Sequence, residues 1–181
     1  MPATRNPELI ARKLLKELGI RSAPVALKPI ARKLGIELVQ EDLGEELSGV
    51  LIKESEKVVI AVNAGHPENR RRFTAAHEIA HFVLGHPGEM FVDKTLRQKA
   101  VVIRRDGRSS EGTDKHEIEA NRFAAELLMP QHLVEAEVTK KLSKQREPRP
   151  EILVADLATH FKVSKQAMEI RLVNLGFLFS E

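Results

Sequence analysis

The segment at residues 73–84 contains the residues whose types and spacing could do chemistry. His77 and His81 are four positions apart, so on an α-helix they lie one turn apart on the same face. Two imidazoles in this arrangement can bind one Zn²⁺, and Glu78 can reach a water molecule bound to that metal. Alanines favour a helix here, and no glycine or proline interrupts it. The segment therefore predicts a helix that carries two zinc ligands and a catalytic carboxylate.

A catalytic zinc site needs a third protein ligand, and a third histidine is the first candidate. The metzincin pattern would require glycine and histidine at positions that are Leu84 and Pro87 in this chain. His86 is out of register, and we expect it to contact the last carbonyl groups of the helix. A carboxylate on a second predicted helix, at 116–129, is the better candidate.

Glu117 and Glu119 are the candidate carboxylates on this second helix. They are separated by about 200° around the helix, so they cannot both face one metal. Glu117 shares a face with Asn121, which can accept a hydrogen bond from the outer nitrogen of a ligand imidazole. It also shares that face with Ala120 and Ala124, which allow a close approach to the first helix. We predict that Glu117 is the third ligand and that Glu119 is a surface or structural carboxylate.

The composition restricts both the metal chemistry and the setting of the protein. The 181 residues contain no cysteine, so disulfides and thiolate ligands are excluded and ligands must be His, Asp or Glu. No apolar run approaches the length of a membrane span, and the first residues do not resemble a signal peptide. We therefore expect a cytoplasmic protein with no membrane contact. The formal charge of +3 permits a nucleic-acid contact without arguing for one.

The remaining pattern predicts an α+β fold that is mostly helical, with a small antiparallel sheet before the metal-binding helix. Thr113 or Asp114 is expected to cap the helix that carries Glu117, and Pro130 is expected to stop it. The other predicted elements are helices at 9–18, 25–34 and 131–144, and strands at 36–39, 48–53 and 57–62.

A stiff, charged segment at 145–150 divides the chain into two predicted parts. The first, at 1–146, is a zincin-like metallopeptidase domain with N-terminal helices, the sheet and both ligand-bearing helices. The second, at 151–181, has the shape of two short helices and resembles a helix-turn-helix. We expect this second part to pack on the first.

The C-terminal segment also raises a rival function, a DNA-binding regulator. Ser164 is placed to cap the second helix, and Lys165, Gln166 and Arg171 could contact DNA. The same helix carries enough apolar residues to require packing. Packing or substrate docking is therefore favoured over direct DNA readout.

Two segments together carry a resemblance to a known family. The sequence HEIAH at 77–81, followed by EIEANRFAAELLMP at 117–130, resembles the ImmA/IrrE family of metallopeptidases over roughly residues 14–176. The resemblance implies a gluzincin-like fold, zinc bound by His77, His81 and Glu117, and Glu78 as the catalytic residue. It also implies a substrate, a helix-turn-helix (Xre-type) transcriptional repressor whose cleavage controls gene expression.

The resemblance leaves one role without an assigned residue. Related gluzincins commonly use a tyrosine or a histidine to stabilise the oxyanion, and this chain has no tyrosine. His116 and the pair Arg104–Arg105 are the candidates. The basic run at 97–108, the loop that follows it and the C-terminal helices are candidates for substrate selection. A metal-binding member of a toxin–antitoxin pair that does not cut is a further alternative.

Overall fold

The computed structural model describes residues 6–53, 57–86, 110–143 and 149–179. It has the mostly helical α+β fold that the sequence predicts. The elements are α1 (Pro7–Glu17), α2 (Leu27–Lys33), β1 (Ile36–Glu41), β2 (Gly49–Lys53), β3 (Val58–Asn63), α3 (Glu68–Leu84), α4 (Ser110–Leu128), α5 (Gln131–Leu142), α6 (Pro150–Phe161) and α7 (Lys165–Asn174).

Some sequence predictions fall on residues outside these described ranges. They are the basic run at 97–108, the Arg104–Arg105 pair and most of the charged segment at 145–150. Within the described ranges, no helix combines the length and the apolar character needed to cross a bilayer.

Short polar side chains determine where two of the helices begin. The Asn6 side chain accepts a hydrogen bond from the Leu9 N–H at 2.9 Å and so caps α1. Ser164 caps α7 as predicted, because its hydroxyl accepts from the Ala167 N–H at 3.1 Å. The predicted cap of α4 is wrong. That helix begins at Ser110, so residues 113 and 114 lie inside it, since a capping residue type permits a helix start but does not prevent the preceding turn from being helical.

The small sheet is mixed, which corrects the prediction that it is antiparallel. Its strand order is β1-β3-β2, with β2 antiparallel and β1 parallel to the central strand β3. The buried Asn63 side chain at the end of β3 donates to the carbonyls of Gly44 and Leu47 at 2.5 and 2.8 Å. These bonds hold the connection between β1 and β2 across the end of β3. The chain therefore crosses the end of β3 between β1 and β2, and these two strands pair with opposite edges of β3.

Strand β2 lies directly against α3, the helix that carries His77 and His81. A Cβ atom at Gly49 would collide with Cγ2 of Thr74, so the strand approaches the helix at a position where only glycine fits. Beside it, Arg70 donates to the Ser48 hydroxyl at 2.8 Å. The sheet is thus fixed beside the first two turns of α3.

Small side chains form much of the contact between α3 and α4. Ala76 and Ala80 on α3 are fully buried, as are Ala120 and Ala124 on α4. Alanine leaves little side-chain volume between two helix backbones, which lets the axes approach closely. This packing brings polar side chains next to the alanines, on α3 and on α4, within hydrogen-bond distance of each other.

The two C-terminal helices share the buried hydrophobic cluster with the rest of the fold, although the division into domains at residues 1–146 and 151–181 stays a prediction. Arg72 on α3 donates to the backbone carbonyls of Lys162 and Val25 at 3.2 and 3.0 Å. The turn between α6 and α7 is therefore hydrogen-bonded to α3. The largest fully buried residues of these two helices are Leu157, Phe161, Met168 and Leu172.

A buried charge network also fixes α7 to α4 and corrects a prediction for Arg171. The Arg171 guanidinium pairs with the fully buried Glu126 and donates to the Met129 carbonyl at 3.1 Å. Glu126 also accepts from Arg12 at 2.9 Å and from the Gln131 N–H at 3.1 Å. Arg171 is therefore committed inside the fold and is not available to contact DNA.

Replacing Arg171 by methionine should strongly destabilise the protein. The change removes a partner from a carboxylate that water cannot reach, and such a loss costs about 3 kcal/mol. The free energy of unfolding from urea denaturation measures it. The matched control is Arg122→Met, because Arg122 is 62% exposed and lies 3.9 Å from its partner Glu8. That change should cost less than about 1 kcal/mol, and equal losses for both variants would contradict the role of the network.

Candidate metal centre

Three potential metal-binding side chains meet between α3 and α4. The Nε2 atoms of His77 and His81 are 2.9 Å apart. The two carboxylate oxygens of Glu117 lie 3.2 Å from these nitrogens, one oxygen beside each ring. Ligand atoms of all three residues lie within 4.8 Å of one another. The structure thus brings together the three residues that the sequence predicts as ligands, and the group could hold a metal ion.

The spacing of these atoms fits a small tetrahedral ion. Zinc binds imidazole nitrogen at about 2.0–2.1 Å, so neighbouring ligand atoms of a tetrahedral site are about 3.3 Å apart. The observed separations of 2.9 and 3.2 Å are close to that value. The side chains of His77, His81 and Glu117 retain 15%, 12% and 26% of their exposure. The centre is therefore mostly enclosed but can be reached from one side.

His77 is oriented by the residue predicted for that purpose. Its Nδ1–H donates to Oδ1 of Asn121 at 3.0 Å. With the proton on Nδ1, the lone pair of Nε2 points to the place where the ligand atoms meet. Asn121 lies one turn after Glu117 on α4, so the same helix supplies a ligand and the group that orients another.

His81 contacts the side chain of His86, which the sequence analysis did not predict. Its Nδ1 lies 3.1 Å from Nδ1 of His86, and Nε2 of His86 lies 3.1 Å from the Glu119 carboxylate. Gly85 ends α3 with a φ of 66°, and the His86 N–H then donates to the His81 carbonyl at 3.1 Å. The backbone contact with the helix end agrees with the expectation for His86. Its side chain, however, points back toward the ring of His81. Burial lowers the pKa of His86, which favours the neutral ring.

Glu119 does not belong to the group that could hold a metal, which agrees with the helix phase and with the expectation of a surface or structural carboxylate. Its contact with His86, which connects it to that group, was not predicted. Only the reversal of the chain at Gly85 creates this connection. In the sequence, a histidine directly after the glycine that ends the helix is the indication of this contact.

The two remaining predicted site residues lie next to the centre. Glu78 is half-buried on α3, directly after His77, and its catalytic role stays a prediction. His116 stacks on His86, with ring centroids 4.5 Å apart and 26° between the planes. The structure thus places this oxyanion candidate against the ring that supports His81.

Comparison with known proteins now identifies the family. The family model for peptidase M78, described as an IrrE N-terminal-like domain, matches residues 31–173. The chain belongs to this family. The resemblance to ImmA/IrrE proteins is therefore confirmed, and membership of the M78 family supports a peptidase activity.

A solved structure shows the same fold over most of the chain. A Mycobacterium tuberculosis transcriptional regulator is 17% identical, with a TM-score of 0.65 over 94% of this chain and 47% of that one. The M78 chain described here thus spans about half the length of that regulator. No curated protein matches the chain.

Removal of the Asn121 side chain should weaken metal binding without abolishing it. The variant Asn121→Ala leaves the three ligand side chains in place but no longer holds the proton on Nδ1 of His77. Loss of such an outer contact typically lowers metal affinity about 10- to 100-fold. Zinc titration against a competing chelator measures the change. Asn174→Ala, at an exposed asparagine of α7, is the control and should bind as wild type does; equal affinity in both variants would contradict the role of Asn121.

Proposed function

We propose that this protein is a zinc-dependent endopeptidase that cleaves a helix-turn-helix (Xre-type) transcriptional repressor and so controls gene expression. One observation carries the proposal. The side chains of His77, His81 and Glu117 converge between α3 and α4, and Glu78 directly follows His77, in a chain of the M78 peptidase family. A repressor substrate requires protease and repressor to share the cytoplasm, which agrees with a chain that has no cysteine.

The donor set supports zinc as the metal. Two imidazoles and one carboxylate, with an open fourth position, are a common arrangement for catalytic Zn²⁺. When bound, Zn²⁺ supplies Lewis-acid activation of the attacking water and of the scissile carbonyl. The chain offers no thiolate alternative, because cysteine is absent.

The chain's own residues account for the proton transfers. Glu78 follows a ligand on α3 and takes the role of general base, removing a proton from the attacking water. The same carboxyl group then delivers that proton to the leaving amine. Asn121 holds the tautomer of His77 in which Nε2 is free to bind the metal.

Selection of one substrate requires surface around the centre, since a zinc site by itself recognises only a peptide bond. A groove of about 890 Å³ lies beside the centre, and it extends from Phe73 and Asn121 to α1 and α7. Leu9 and Ile170 line this groove and are more than half exposed. The groove supports docking of a protein segment with the help of the C-terminal helices. The shared fold of a protein titled a transcriptional regulator agrees with a regulatory setting.

The rival functions have less support. Of the three residues of α7 that are candidates for DNA contact, Arg171 is buried with Glu126. Lys165 and Gln166 are exposed. A metal-binding partner of a toxin–antitoxin pair that does not cut would retain the metal but would not need Glu78. An operator-binding assay on the zinc-loaded protein separates the first rival from the proposal.

Substitutions of the proposed ligands and of the proposed base should have different effects on zinc binding and on cleavage. His77→Ala and His81→Ala should each lose both zinc and cleavage, because each removes one of three ligands. Glu78→Gln should keep about one zinc per chain and lose cleavage, because an amide cannot accept the proton. Metal content by atomic absorption and cleavage by mass spectrometry provide the two measurements. Full zinc affinity in a double histidine variant would refute the centre, and full cleavage by Glu78→Gln would refute the mechanism.

The substrate is testable with the same inactive variant. Zinc-loaded Glu78→Gln should capture a helix-turn-helix repressor from a lysate of the source cells, and the wild-type enzyme should cut that repressor at one or a few bonds. Casein should stay nearly intact under the same conditions, because an unfolded chain does not present the folded surface that would dock in the groove. Rapid digestion of casein, or capture of no cleavable repressor, would contradict the proposed substrate even if zinc binds.

A further inference from the structure

We propose that His86 and Glu119 are positioning residues for the metal ligand His81. They form a chain of hydrogen bonds, from His81 through His86 to Glu119, that determines which ring nitrogen carries a proton at each step. This inference rests on the metal centre proposed above and adds to it the groups that make one of its ligands competent.

The contacts form one continuous line from the ligand to a carboxylate. His81 Nδ1 and His86 Nδ1 are 3.1 Å apart, and His86 Nε2 is 3.1 Å from Oε2 of Glu119. The residue His86 is only 7% exposed, so water has little access to replace either bond. His116 stacks on the His86 ring at 4.5 Å, which restricts rotation of that ring.

The chemistry of the three groups assigns every proton. A histidine that binds metal through Nε2 carries its proton on Nδ1, so Nδ1 of His81 is a donor. Nδ1 of His86 must then accept, and the proton of a neutral His86 ring must be on Nε2. That Nε2–H donates to Glu119, whose ionised carboxylate can only accept. No other distribution satisfies both short contacts while Nε2 of His81 stays free.

The two histidine ligands are therefore oriented by different means. Nδ1 of His77 donates directly to Asn121 on α4, whereas Nδ1 of His81 is connected to Glu119 of α4 through His86. The carboxylate at the end of the second line also makes the His81 ring a better electron donor to a metal. Without His86, the proton of His81 could move to Nε2, the atom that must bind the metal.

The test uses two variants at position 86 with a matched control. His86→Phe keeps a flat ring of similar size but removes the acceptor. His86→Asn places an amide oxygen close to the position of Nδ1 and restores the acceptor. His132→Phe makes the same change at an exposed histidine of α5. All three proteins are purified as full chains, and their thermal unfolding is recorded to establish that they fold.

Two readouts separate positioning from general structural damage. Zinc affinity should fall about 10- to 100-fold in His86→Phe, the usual effect of removing a hydrogen bond to a metal ligand. It should be largely restored in His86→Asn, which returns the acceptor. In the zinc-saturated protein, the Nδ1 proton of His81 should exchange slowly with water in the wild type and in His86→Asn, as followed by its ¹H–¹⁵N NMR signal. In His86→Phe that signal should be lost to exchange with water, because no acceptor holds the proton. The control should match the wild type in both measurements.

The outcomes discriminate between the two proposals. If the wild type does not bind zinc, the proposed metal centre fails. If it binds zinc but His86→Phe leaves both the affinity and the exchange of the His81 Nδ1 proton unchanged, only the positioning role is overturned. Equal losses in His86→Phe and His86→Asn also overturn it, because the acceptor would then not be what matters. Should His86→Phe not fold, Glu119→Ala replaces it, and an unchanged affinity and an unchanged exchange of the His81 Nδ1 proton in that variant overturn the proposal.

Discussion

The close packing of α3 against α4 is the constraint on which the rest of the site depends. Each helix contributes ligands that are useless alone, and they meet only because alanines line the contact. The two histidine nitrogens of α3 are 2.9 Å apart, and the packing brings Glu117 of α4 to 3.2 Å from each of them. A larger side chain at Ala80 or Ala120 would force the helices apart, and a shift of 1 Å is a large error for a metal site.

Helix α4 connects the chemistry to the stability of the fold. Its middle carries Glu117, Glu119 and Asn121, all of which contact histidines of α3 or of the turn that follows it. Its last turn carries Glu126, a buried carboxylate that pairs with arginines from α1 and α7. The network therefore holds the C-terminal end of α4 between the terminal helices while its middle faces α3. The position of the site depends on charges that take no part in the chemistry.

Helical periodicity explains which parts of this structure could be predicted from the sequence. The spacing of the two histidines and the phase of Glu117 and Asn121 are properties of single helices, so local reasoning places them correctly. The direction of the first strand and the role of His86 depend on chain reversals. Residue spacing does not predict which residues the chain contacts after it reverses direction. The burial of Arg171 was missed for a similar reason, because its partner Glu126 is 45 residues away and its charge suggested a surface.

The most direct test of the central claim is the position of the metal itself. A crystal of the zinc-loaded protein, measured with X-rays on both sides of the zinc absorption edge, would give an anomalous difference peak at each zinc ion. The account predicts one strong peak within about 2.0–2.2 Å of Nε2 of His77, Nε2 of His81 and a carboxylate oxygen of Glu117. A peak coordinated by other residues, or no ordered zinc between α3 and α4, would contradict it.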